Sequence, residues 1–389
     1  MFRQLPNLDL LIALSGLLLL AACSSNTPLV VERPFPELPP VESIILRAAD
    51  SVPDEVELLD IGISVFDYEH RESDSEVYGD WVFTEIRDNE RHFLPLLLRN
   101  TLQRSNQWGA IRVLPENDPS IDLTINGRIH QSDGERLVLE VNVSDSTGRV
   151  WLDAFYADET ATADYPDSTR LRSASQLLEE DLQEPFQDIY EQIANDLLAV
   201  REAMTFAELA NIRQVSSLVY AQDLAPESFE HTLGRDEEGH LRVLSLPAEN
   251  DPMADRVAEM RRRHHLFIDT VDEYYQALFE ETEASYLVWR RYSFDQIDEN
   301  RVDREPVDQS LFSSTSNTLT LIQRYNRFRW SKIYEQEFLE LANGFNQEIA
   351  PAILELNKNV HGLSGTMAEQ YQQWRNILRQ LFALETGEA

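Results

Sequence analysis

The chain has 389 residues, of which 69 are acidic and 33 basic, so its formal net charge at neutral pH is −36. A surface of that sign repels nucleic acid and anionic head groups over a Debye length of about 8 Å at physiological salt, which argues against either as a bulk electrostatic partner. A hydrophobic content of 42% suffices for a sizeable core, only 13 glycines point to a helix-rich protein, and the single cysteine, Cys23, leaves no thiol for a disulfide or a zinc–thiolate site.

The first element is an apolar run from Leu10 to Leu20, preceded by Arg3 and ending in Leu20-Ala21-Ala22-Cys23-Ser24. It is about half the roughly 20 residues a helix needs to cross a bilayer, so it reads as the apolar region of a cleaved signal. The run and its cysteine resemble a bacterial lipoprotein signal peptide. That resemblance implies a signal over residues 1–22 and lipid attachment at Cys23 through a diacylglyceryl thioether, with fatty chains such as palmitate. With Ser24 rather than Asp after the cysteine, it also implies an outer-membrane protein facing the periplasm. Two or three chains, each contributing about 0.8 kcal/mol per buried methylene, anchor durably without a transmembrane helix. Residues 23–54 follow with Pro28, Pro34, Pro36, Pro39, Pro40 and Pro53, and this proline density predicts an extended lipidated tether, with an ordered strap lying on the first domain as the alternative that Val41 to Leu46 offers.

Residues 55–205 read as an α/β domain. Leu58, Leu59, Ile61, Ile63, Val65 and Phe66 predict a strand, and Phe93, Leu94, Leu97, Leu98 and Leu102 predict a helix from about Thr84 to Ser105, with a kink or restart at Pro95. A second strand is expected over Trp108 to Pro115. Three antiparallel strands, near 122–129, 137–143 and 150–160, are joined by turns at Ser132-Asp133-Gly134 and Asp145-Ser146-Thr147-Gly148, where glycine reaches positive φ cheaply. This order of elements after a lipoprotein signal resembles the α/β domain of curli-export-type assembly lipoproteins and the N-terminal domain of the Tol-system propeller protein. Ile86 to Leu94-Pro95, together with Trp108-Gly109-Ala110-Ile111-Arg112-Val113, also resembles a group of uncharacterised proteobacterial lipoproteins. Neither resemblance carries a functional residue onto this chain, and no strand pair shows the apolar alternation of a membrane hairpin.

The expected fold class is therefore α+β, a small α/β sandwich with an antiparallel meander followed by a mainly helical bundle over residues 206–389. Phe186, Ile189, Tyr190, Ile193 and Leu197 form one helical stripe ahead of it, and a second segment runs to about Tyr220. A hydrophilic connection leads to Asp251-Pro252, where Asp caps free amides and Pro fits the first turn. Val257, Met260, Phe267, Ile268, Val271, Tyr274 and Leu278 continue the helical period, and later segments carry Tyr325 and Phe328, then Met367, Tyr371, Trp374 and Leu378.

Chemical motifs are sparse. Gly362-Leu363-Ser364-Gly365 lacks the first half of a nucleophile elbow and is expected between helices rather than after a strand, so it reads as a helix break. His265, Asp269 and Asp272 or Glu273 have permissible metal-ligand spacing on one helix side, but Arg261, Arg262, Arg263, His264 and His265 followed by acids read as a solvated face with internal ion pairs, and no metal or cofactor is expected. Arg324, Arg327, Arg329 and Trp330 alternate cations with aromatics and are the candidate residues for a glycan or lipid ligand, against the alternative of an amphipathic helix pairing with Glu335 and Glu337. Tyr274, Tyr275, Phe279, Tyr286, Trp289, Tyr292 and Phe294 could line a glycan groove, but their helical spacing makes most of them core. The expected function is a non-catalytic, lipid-anchored periplasmic scaffold or assembly protein with an envelope protein partner. The alternatives are a glycan- or lipid-binding module and a cell-wall hydrolase using an acidic pair.

Overall fold

The computed structural model describes residues 38–51, 53–68, 84–161, 164–165, 184–304, 353–356, 359–363 and 365–386. Helices account for 51% and strands for 19% of the chain, and the class is α+β as the sequence predicts. The elements of the first half are β1 (Ile61–Ser64), β2 (Asp67–Tyr68), α1 (Thr84–Ser105), β3 (Ile111–Leu114), β4 (Leu123–Ser132), β5 (Arg136–Asp145) and β6 (Val150–Glu159). They form a mixed sheet of order β3-β1-β4-β5-β6, with β2 also alongside β4. β1 runs parallel to β3 and β4, and β4, β5 and β6 are the expected antiparallel meander, in which Arg128 faces Glu140 and Glu140 faces Phe155.

The helix α1 is unbroken at Pro95. Proline removes the amide that would bond the carbonyl four residues back. That freed carbonyl, on Arg91, instead accepts from the Phe66 amide (3.0 Å), while Arg91 Nε donates to the Phe66 carbonyl (3.0 Å). The predicted kink is therefore replaced by a helix-to-strand tie. Gly148 has φ +89°, as its turn requires, but Gly134 is not in the positive-φ region, and its role differs from the expected one. A Cβ there would overlap the backbone of Arg290 and Phe294, so the residue is needed for close approach of a helix.

The remaining elements are α2 (Gln187–Glu202), α3 (Phe206–Leu224), α4 (Pro226–Phe229), the hairpin β7 (Leu233–Arg235) and β8 (Leu241–Val243), the long α5 (Pro252–Arg304), the hairpin β9 (Ile353–Leu356) and β10 (Asn359–Gly362), and α6 (Met367–Thr386). Asp251 caps α5 by accepting the Met253 amide (2.8 Å), as its Asp-Pro start predicts. Thr205 and Glu208 form a reciprocal capping box that separates α3 from α2. Between α4 and α5, Asp236 to Gly239 turns the β7–β8 hairpin, Gly239 standing at φ +90°.

The helices from 206 onward do not bury their apolar faces only against one another. α5 runs against β3 and α1, α3 and α6 lie against α5, and a single apolar core is continuous from Leu59 and Ile63 through Leu94 and Tyr190 to Met260, Trp289 and Trp374. Both sheet edges are managed. On β3 the Val113 amide donates to Asp272 of α5 (2.8 Å), and on β6 the Ala157 carbonyl accepts from Val41 (2.8 Å). Val41 belongs to residues 38–49, which were expected in the extended tether. They lie instead as a strap along β6 and α2, because α2 offers polar side chains to the strap's backbone.

Candidate functional site

The strongest concentration of buried polar chemistry lies where α5 meets the α/β unit. The connection from β3 to β4, residues 115–122, must return the chain past the short β1 so that both strands run parallel to it. A loop of that kind has backbone groups to satisfy, and Asp118 organises it. Its Oδ1 accepts from the Ser120 amide (2.8 Å) and hydroxyl (2.6 Å). Its Oδ2 accepts from Tyr371 of α6 (2.5 Å) and lies 2.6 Å from His264 Nε2 of α5. Burial by itself would raise this carboxyl, but the hydrogen bond and charge of His264, with the Ser120 and Tyr371 hydroxyls, hold it well below the usual range.

A carboxylate orienting an imidazole is one half of a nucleophile-activating arrangement. In such a site the second ring nitrogen reaches the nucleophile. Here His264 Nδ1 has no hydrogen-bond partner among the described residues, its ring stacks on Tyr220 (5.7 Å), and its side chain is 1% exposed. The pair therefore presents nothing to a dissolved substrate and joins three segments of chain. Behind it Arg261 donates to the Ser120 carbonyl (2.8 Å) and Ser216 donates to Asp122 (2.6 Å), extending the joint to α3.

A second cluster lies farther along α5. The side chains of Glu90 and Arg290 form an ion pair with 0% exposure on both sides. Glu90 Oε1 also accepts from Ser132 (2.8 Å) and Tyr286 (2.7 Å). Arg290 donates to the Asp133 carbonyl (2.8 Å) and lies over the ring of Phe186 at 4.7 Å. Close by, Ser293 accepts the Gly134 amide (3.1 Å) and Tyr165 donates to the Gly134 carbonyl (2.5 Å). The tip of the β4–β5 hairpin is thus clasped by α5, which explains the absence of a side chain at Gly134. Burial pushes the Glu184 carboxyl up to about 7 against the pull of Arg290.

The residues singled out from sequence fall as follows. Cys23, Arg324, Arg327, Arg329 and Trp330 lie outside the described residues. Asp269 accepts from Arg112 (2.5 Å), Asp272 pairs with Arg99 and takes the Val113 amide, and Glu273 is exposed. The acids of that spacing are spent on closing the β3 edge, with arginines of the α/β unit as partners. Burial, assisted by Arg261 and Arg112, pushes His265 down to about 4. Among the described residues no group of three or more His, Cys, Asp or Glu has a metal-holding arrangement. Tyr275, Phe279, Tyr286, Trp289 and Phe294 are buried as their spacing predicts.

Asp118, Glu90 and Arg290 were not anticipated, and His264, expected on a solvated face, is buried because it pairs with Asp118. For two of these residues a signal was present: His264 falls four residues after Met260 and four before Ile268, and Arg290 four after Tyr286 and four before Phe294, so each places a charge-bearing group on an apolar stripe.

No protein-family model matches the chain, and no curated protein matches it.

Proposed function

We propose that this chain is a lipid-anchored protein of the outer membrane that holds an envelope protein partner on its periplasmic side. The observation that carries the reading is Leu20-Ala21-Ala22-Cys23-Ser24 after a short apolar run, with Cys23 the only cysteine. Two features of the fold support it. The buried charges that would attract a catalytic reading, Asp118 with His264 and Glu90 with Arg290, are enclosed in joints between segments. Leu38, where the strap begins, follows Cys23 by 15 residues, a length that reaches no more than about 50 Å.

The test is a gentle crosslink in envelope followed by pull-down, comparing the native chain with Cys23→Ala. The reading expects a stoichiometric protein partner recovered with the native chain and depleted with the variant. Recovery of glycan or lipid alone would overturn it.

A glycan-binding reading has one observation of its own. The sheet face turned away from α1 and α2 aligns Asn126, Asn142 and Asp153 in one row and Arg128, Glu140 and Phe155 in the next. Phe155 is 48% exposed beside His130, an apolar ring among polar side chains.

A further inference from the structure

The strap over residues 38–49 is held in an unusual way. Asp188, Glu191, Asn195 and Glu202 of α2 follow one another at three-, four- and seven-residue steps and so share one side of the helix. Asp188 accepts the Ile44 amide (2.9 Å), Glu191 the Leu46 amide (3.1 Å) and Asn195 the Arg47 amide (2.9 Å). Asn195 also donates to the Ile45 carbonyl (3.0 Å). Glu202 takes the Arg47 guanidinium with both oxygens, at 3.1 and 2.7 Å. At the two ends the Val41 amide donates to the Ala157 carbonyl and the Ala49 amide to the Ser105 carbonyl, each at 2.8 Å.

This is recognition of an extended main chain carrying one arginine. No residue of the strap is buried, and Ile45 is 86% exposed, so the strap adds little to the core beyond the partial packing of Val41 and Leu46. The opposite stripe of α2, with Ile189, Tyr190, Ile193 and Leu197, is buried in the common core. A segment attached by surface hydrogen bonds to a side-chain ladder that is otherwise packed belongs to the low-stability end of a fold and opens locally before the rest.

We propose that the polar side of α2 is a docking surface for this segment from a second copy of the chain, so that two molecules pair by exchanging residues 38–49. The ligand that the ladder reads is an extended backbone with Arg three residues after the first captured amide, and Ile44-Ile45-Leu46-Arg47 of another copy supplies it in full. Every hydrogen bond given up within one chain forms again between the two chains, so exchange costs association entropy and little else. The inference is independent of lipidation and of the partner proposed above.

The test uses full-length chains in a Cys23→Ala background, one carrying Ile44→Cys and the other Asp188→Cys, mixed at high concentration and oxidised. Exchange predicts a mixed covalent dimer at least tenfold above the product of either chain alone, and suppression of that dimer by a synthetic peptide of residues 38–49 but not by its Arg47→Glu form. A chain carrying both cysteines controls the geometry. If it closes on itself while the mixture yields no excess dimer, exchange is overturned; if it fails to close, the strap placement on which the proposal stands is overturned. A second readout needs no new cysteine. By fluorescence anisotropy the labelled peptide is expected to bind the full-length Arg47→Glu chain at least tenfold more tightly than wild type, and equal or absent binding contradicts the proposal.

Discussion

Two carboxylates a few strands apart titrate in opposite directions, and each direction has a consequence. The Asp118 carboxyl is held below the ordinary unfolded value of about 3.9, so its stabilisation is complete above about pH 4 and is lost as pH falls through the folded value. Asparagine at this position takes away the buried carboxylate that His264, Tyr371 and Ser120 share as a partner. Asp118→Asn is therefore expected to cost about 3 kcal/mol at pH 7, with the gap to wild type narrowing below pH 4, as read from urea midpoints at both values. Asp158 on β6 is the reverse case: burial, with Asp188, Asp164 and Glu159 nearby, raises it to about 6. A carboxyl raised on folding stabilises below the unfolded value of about 3.9 and loses that contribution as pH rises through about 6. Asp158→Asn keeps the oxygen that accepts the Glu159 amide (2.8 Å). It is expected to stabilise by about 1 kcal/mol at pH 8, a figure kept small because solvent screens the neighbouring charges, and to change nothing at pH 4. Pairs such as Asp118 with Tyr371, 253 positions apart, leave no local trace in sequence. Only the misplaced polarity of single residues on apolar stripes points to them.

Among the elements, those with strong local signals were legible. The meander follows from alternation plus glycine- and aspartate-bearing turns, α1 from three- and four-residue apolar steps, and the start of α5 from Asp251-Pro252. Pro95 was legible as a proline and illegible as a tie, because the carbonyl it frees is satisfied by Phe66, 25 residues away along the chain from Arg91. A proline inside a helix ordinarily costs about 3 kcal/mol. Here the Arg91 carbonyl already has a partner, so Pro95→Ala is expected to change thermal stability by less than about 1 kcal/mol rather than recover that amount. A gain near 3 kcal/mol would show that the Phe66 bond contributes nothing. The strap was legible only as the alternative that the apolar residues of Val41 to Leu46 offered to a tether, and the groups that hold it were not. Proline density predicts extension, and the strap is extended, but what holds it is a ladder of α2 side chains spaced for helix geometry. The β7–β8 hairpin was missed because strands of three residues show no alternation, although Asp236 to Gly239 carries ordinary turn chemistry.

At the scale of the molecule, one apolar core ties the sheet to every major helix of the described residues, and α5 is the common beam. No helix of the described residues is long and apolar enough to cross a membrane. A net charge of −36 sets that core against self-repulsion, which salt screens. The urea midpoint is therefore expected to rise between about 50 mM and about 1 M sodium chloride, and an unchanged midpoint would assign the acids to local pairs instead. The described residues keep the buried pairs Asp118 with His264 and Glu90 with Arg290 inside joints between segments, and the proposed anchor at Cys23 is what would place the protein in the cell. In-cell labelling with an alkyne palmitate, followed by mass spectrometry of the N-terminal peptide, tests that anchor most directly. The account predicts a labelled chain beginning at lipid-modified Cys23 and no label on Cys23→Ala; an unlabelled chain that retains residues 1–22, or one cleaved elsewhere with a free thiol, would contradict it.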